Sequence, residues 1–210
     1  MTNLPKTKTQ TKILLHVGCS FLNKKDTTPG FQEDSWKELR LDIDPKVNPD
    51  IIGSMLDLSM IPKNKIDAIF SSHNIEHLYT HEVPIALEEF HRVLKPDGFI
   101  IITCPDLQSI CELVAQDQLT QKAYFSSQGS ITPLDMIFGL QSSIAKGNHF
   151  MAHKTGFTKT SMIETFEKSS FSQILCLQRP KKFDLFVLAT KTEWPVQKLQ
   201  AVVQEHIVFS

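Results

Sequence analysis

The chain has 210 residues, 41% of them hydrophobic, enough for one domain with a real core and a short appended segment. Its 22 basic and 23 acidic residues nearly cancel, so no global field draws it to nucleic acid or to an anionic membrane. Cys19, Cys104, Cys111 and Cys176 form no Cys-x-x-Cys pair, which argues against a zinc ribbon or disulfide framework and for reduced thiols in the cytoplasm.

Residues 1–12 are polar and rich in Thr and Lys, without the apolar stretch of a signal peptide, and read as a tail. No apolar run approaches the roughly 18 residues that span a bilayer. Ile13–Val17 is apolar on both faces except at His16, the pattern of a buried strand, and it breaks at Gly18-Cys19-Ser20. Glycine there lets a backbone approach a ligand closely. Residues 21–35, with Pro29-Gly30, read as loop.

Glu38–Asp42 is a second strand, ending in a carboxylate. An acid about 20 residues past a glycine turn can accept both ribose hydroxyl hydrogens. Asp44 lies two residues on and competes for that role. Met55, Leu56 and Asp57 follow Gly53-Ser54, where the carboxylate could accept from an adenine amino group while Met55 packs on the ring. A capping aspartate is the plain alternative for Asp57. The spacing lacks the Gly-x-Gly-x-x-Gly of a dinucleotide site, since Ser20 and Asn23 stand at the later glycine places, which counts against NAD or FAD.

Ile66–Ser71 is another buried strand, leading into Ser72-His73-Asn74-Ile75-Glu76-His77. His73, His77 and His81 would share one face if a helix began there. The strand should end near Ser72 and leave His73 in a loop, so no metal site is assigned. His73 is read as facing the ligand and as a candidate general base, with Glu76 and His77 capping or supporting the next helix.

Glu82–Lys95 shows one apolar stripe, Val83, Leu87, Phe90 and Leu94, with Pro84 in the first turn. Lys95-Pro96-Asp97-Gly98 ends that helix before the buried strand Phe99–Thr103. Leu107, Ile110, Cys111 and Val114 continue as a helix. This strand–helix alternation implies right-handed crossovers and a parallel sheet.

Residues 118–156 are interrupted by Gly129, Pro133, Gly139 and Gly147 and read as a substrate-shaping insert or lid. Within it, His149 and His153 are second choices for the base. A short helix around Met162 and Phe166, capped by Thr158, and two closing strands, Ile174–Leu177 and Phe183–Thr190, complete residues 13–192 as one domain. Residues 193–210 form an amphipathic helix that must dock on something, a homodimer partner being one reading.

These residues resemble the motifs of class I S-adenosylmethionine-dependent methyltransferases, in particular small methyltransferase-domain proteins of the type 11 group. The resemblance rests on Leu41-Asp42-Ile43-Asp44-Pro45, on Asp67 to Leu78, and on Arg92-Val93-Leu94-Lys95-Pro96-Asp97-Gly98 before a strand. It implies a Rossmann-like, doubly wound seven-stranded sheet, mostly parallel with an antiparallel last strand and helices on both faces. The implied cofactor is S-adenosyl-L-methionine, leaving as S-adenosyl-L-homocysteine. Gly18, Cys19 and Ser20 would lie against its methionine part, Asp42 on the ribose, Leu56 and Asp57 at the adenine, and Ser72 with His73 beside the sulfonium.

The family usually has an acid where His16 stands, one that helps orient the loop near the cofactor's ammonium group, and His16 takes its place as a candidate cofactor-site residue. Ser20 and Leu22 replace two of its glycines. The resemblance implies methyl transfer to a small-molecule N, O or S nucleophile, without nucleic acid or membrane as partner. A catalytically inactive binding or scaffolding domain of the same fold is the alternative.

Overall fold

The computed structural model describes residues 11–126 and 128–207. The tail expected over residues 1–12 therefore falls almost wholly outside the described residues. β1 (Lys12–Val17) carries Leu14, Leu15 and Val17, all with no exposed surface. It pairs in parallel with β2 (Trp36–Asp42), Val17 opposite Leu41, and with β4 (Ile66–Ser72), Val17 opposite Ser71. β3 is only Ile51–Ile52, beside the end of β2.

β5 (Leu94–Pro105) pairs in parallel with β4 and antiparallel with β9 (Asp184–Thr190), which in turn is antiparallel to β8 (Gln173–Arg179). The sheet order is β3-β2-β1-β4-β5-β9-β8. β9 alone runs against the rest, as expected of a mostly parallel seven-stranded sheet closed by an antiparallel strand. Strand order reverses at the β1/β4 boundary, where such sheets open a ligand crevice beyond their carboxyl ends.

Both faces are covered. On one, Leu87 and Phe90 of α1 (Val83–Val93) and Met162 and Phe166 of α5 (Lys159–Glu167) pack over Leu15, Val17, Ile69 and Ile100. The expected stripe of α1 is buried up to Phe90, but Leu94 leaves the helix and opens β5. Pro96 bars Lys95, the residue before it, from the helical region, and the helix ends just ahead of that pair. Thr158 caps α5 in a capping box with Ser161.

On the other face no helix follows the first turn; residues 24–26 and 29–31 make two 3-10 turns, consistent with the loop reading. Phe31 fills the gap, 5.1 Å from the Trp36 ring and 4.2 Å from that of His206. α6 (Val196–His206) lies over this cluster through Leu199, Val202 and Val203. Its apolar stripe is thus occupied within the chain.

α2 (Leu107–Ala115) follows β5. Residues 118–156 then hold a two-stranded hairpin, β6 (Tyr124–Ser126) and β7 (Gly129–Ile131), and two short helices, α3 (Pro133–Phe138) and α4 (Gln141–Ile144). Ile131 and Met136 of this region pack on Ile110 of α2. Glycine spacing hid this structure because its elements are too short for periodicity to register.

Candidate functional site

The first turn is built on left-handed backbone. Gly18 has φ +62° and Ser20 φ +49°, so Ser20 adopts the conformation that a second glycine would take. Gly18 is also sterically required: a Cβ there would meet the Asn74 side-chain oxygen at 1.9 Å. The Asn74 amide nitrogen donates to the carbonyls of Val17 (3.0 Å) and Ser72 (2.9 Å), locking the ends of β1 and β4 together.

Asp42, at the end of β2, accepts the N–H of Ser20 at 2.7 Å and that of Asp44 at 2.9 Å. Arg40 donates to the carbonyls of Ser20 and Leu22, fastening the same turn. Asp44 instead caps its own turn by accepting from Lys46 N–H. Cys19 is fully buried, and burial raises its thiol to about 11, so it is a neutral packing group.

His16 is buried against Phe70 and shares a hydrogen bond with Glu38, 2.7 Å away. Burial lowers its pKa despite that partner. Met55 and Leu56 are half-buried against the core, whereas Asp57 is exposed and accepts from Ser59 N–H. Asp57 borders an open cavity of about 430 Å³ beside Glu89 and Arg92, on the α1 side.

The second group of residues gathers at the ends of β4 and β5. His73 sits in the left-handed region at φ +55°, its N–H bonded to Thr103 O, while Ser72 and Thr103 share a hydroxyl hydrogen bond. The His73 ring lies 3.4 Å from Glu76 and 3.7 Å from Asp184. Burial opposes its charge, but the Asp184 and Glu76 carboxylates outweigh that and raise its pKa to about 9. With 44% of the side chain exposed, solvent weakens that pull. Asp184 is in turn held by a two-pronged Arg179 contact at 2.7 and 2.6 Å.

Glu76 and His77 do not cap α1; Glu82 holds its N-cap position without a side-chain capping bond, its carboxylate turning back to accept Tyr79 N–H. Glu76 is buried instead, and its carbonyl accepts the N–H groups of Lys154 and Thr155. That strap brings His153 over His77, with ring centroids 4.8 Å apart. His73, His77 and His153 line a cavity of about 240 Å³ with Tyr124 and Phe183. His149 is exposed and outside that lining; His81 stacks on Tyr79, also away from it.

Glu76 as a site residue and the meeting of His77 with His153 were missed by the sequence reading. Only the proximity of Glu76 to two histidines signalled them.

Residues 23–102 match the family model described as a methyltransferase domain. No curated protein matches the chain in sequence. Among solved structures, the PH0226 protein from Pyrococcus horikoshii OT3 aligns at a TM-score of 0.58 and 15% identity, over 88% of this chain and 84% of that one.

The 1,6-didemethyltoxoflavin-N1-methyltransferase of Burkholderia thailandensis, solved with 1,6-didemethyltoxoflavin and S-adenosylhomocysteine, aligns at 0.52 and 14%, over 86% and 71%. A TehB-like SAM-dependent methyltransferase from Corynebacterium glutamicum aligns at 0.50 and 14%, over 87% and 82%. At these identities the likeness is one of fold, and the fold is that of the class I methyltransferases. The match over residues 23–102 adds a methyltransferase domain to that likeness of fold, and the two together support methyl transfer from S-adenosylmethionine.

Proposed function

We propose that the protein transfers the methyl group of S-adenosylmethionine to a small-molecule N, O or S nucleophile held in the cavity beside His73. The observation that carries this reading is the position and size of that cavity. It lies at the carboxyl ends of β4 and β5, is lined on its far side by Tyr124, Met136 and His153, and measures about 240 Å³.

The residues at the switch point fit the cofactor. Asp42 accepts two backbone N–H groups, and an ionised carboxylate has lone pairs left for a ribose diol. Phe21, Ile43 and Ile52 are exposed at the carboxyl ends of β1, β2 and β3, apolar surface that a nucleoside would cover. In this reading Gly18, Cys19 and Ser20 meet the methionine part and Met55 with Leu56 the adenine. Ser72 and His73 stand at the sulfonium end. His16 acts from behind the turn, and Asp57 stays on its own Ser59.

When bound, the cofactor supplies an electrophilic methyl group on a cationic sulfur. The chain supplies orientation and exclusion of water, which account for most of the rate in an in-line displacement. His73 lines the acceptor side and orients the nucleophile, with His153 in the same lining; His149 is the outlying choice among the three. The four free cysteines suit a cytoplasmic setting.

The test is S-adenosylhomocysteine formation with panels of small amines, phenols and thiols. Turnover with a member of a panel, reduced in His73→Ala while S-adenosylhomocysteine binding persists, is the expected result. Methylation confined to proteins or nucleic acids would overturn the small-molecule assignment. Cofactor binding with no turnover on any acceptor would favour the inactive binding domain.

A further inference from the structure

We propose that Glu76, His77 and His153 bind one divalent transition cation, zinc being the best match, at the floor of the acceptor cavity. One ligand atom from each of the three residues lies within 4.8 Å of the others. Glu76 is 1% exposed, and among the described residues neither of its oxygens has a hydrogen-bond partner. A buried carboxylate with no donor is strongly unfavourable. His73 compensates it only in part, from 3.4 Å and without hydrogen-bond geometry.

The histidines are already arranged as ligands. His77 Nδ1 faces the Ala152 carbonyl at 3.1 Å, and His153 Nδ1 faces that of Met136 at 2.9 Å. A carbonyl only accepts, so each Nδ1 carries the proton and each Nε2 keeps a free lone pair. Metal-bound histidines are oriented by this same outer hydrogen bond. His153 Nε2 stands 4.0 Å from Glu76 Oε1.

A tetrahedral zinc with bonds of about 2.0–2.1 Å spaces its donors roughly 3.3 Å apart, so small side-chain rotations close the set. Two imidazoles and one carboxylate with a further position open is the ligand pattern of catalytic rather than structural zinc. His77 and His153 line the cavity, so a water or an acceptor oxygen there would complete the shell.

This inference concerns binding and stands apart from methyl transfer. Tag-free protein, stripped with a chelator and dialysed, is titrated with Zn²⁺ against a chromophoric competitor, and Co²⁺ loading is followed by visible absorption. One Zn²⁺ per chain is expected, with affinity falling at least tenfold in Glu76→Gln and in His153→Ala. The exposed His81→Ala should bind as wild type. Should Glu76→Gln misfold, His153→Ala and His77→Asn decide.

Sub-stoichiometric Zn²⁺ in wild type, or variants that bind as wild type does, overturns the site. A parallel titration with S-adenosylhomocysteine separates the two readings. Zinc without nucleoside binding leaves the metal site standing and the cofactor site refuted; the reverse outcome does the opposite.

Discussion

The Asp42 carboxylate accepts the backbone N–H of Ser20 at 2.7 Å, tying the turn after β1 to the end of β2. Ser20 holds φ +49° in that arrangement, a conformation that costs a non-glycine residue about 1–2 kcal/mol. One carboxylate therefore both stabilises a strained turn and remains available to a ligand. This explains how the turn survives with a serine in a conformation that favours glycine.

Two substitutions in the turn should act in opposite directions. Gly18→Ala combines an unfavourable φ with overlap of the Asn74 side chain, and should cost about 3 kcal/mol. Ser20→Gly relieves the strain and should be neutral or stabilising by about 1 kcal/mol. Urea unfolding of both variants checks this; equal stability of the two would contradict the described turn.

His206 should make stability pH-dependent. It is buried beside Phe31 and shares a hydrogen bond with Thr28, and burial lowers its pKa from 6.5 to about 4. The folded state therefore resists the proton that the unfolded chain accepts. Its contribution is full above pH 6.5 and is lost as pH falls toward 4, up to about 3 kcal/mol. In His206→Gln the decline between pH 6.5 and 4 should be shallower than in wild type. Parallel declines would contradict the burial of that ring.

Thiol labelling should distinguish one cysteine from three. Cys111 is exposed, whereas Cys19, Cys104 and Cys176 are buried, with Cys19 and Cys176 raised to about 11. Iodoacetamide on the native protein at neutral pH should add one group, at Cys111. A rapid adduct at Cys19 would mean that the turn is open.

Much of this architecture was legible in the sequence because it is local. The runs around Leu15, Ile69 and Ile101 are apolar on both faces, the α1 stripe is regular, and Gly18 and Asp42 stand at strand ends. What the sequence hid is long-range.

His153 reaches Glu76 across more than 70 residues, through backbone bonds from Lys154 and Thr155 that no periodicity announces. The docking of α6 on Phe31 depends on the absence of a helix after the first turn, itself readable only as loop. Asp57 was ambiguous on spacing, and the structure shows its carboxylate on Ser59 N–H.

Calorimetric titration of S-adenosylhomocysteine into wild type and Asp42→Ala tests most directly whether the end of β2 grips the adenosyl group. Losing charge-assisted hydrogen bonds to the ribose should cost about 1.5–3 kcal/mol, or roughly 10- to 100-fold in affinity. A one-to-one complex in wild type, weakened to that extent in a variant that remains folded, is the predicted result. Equal affinities, or no binding to the wild-type protein, would contradict it.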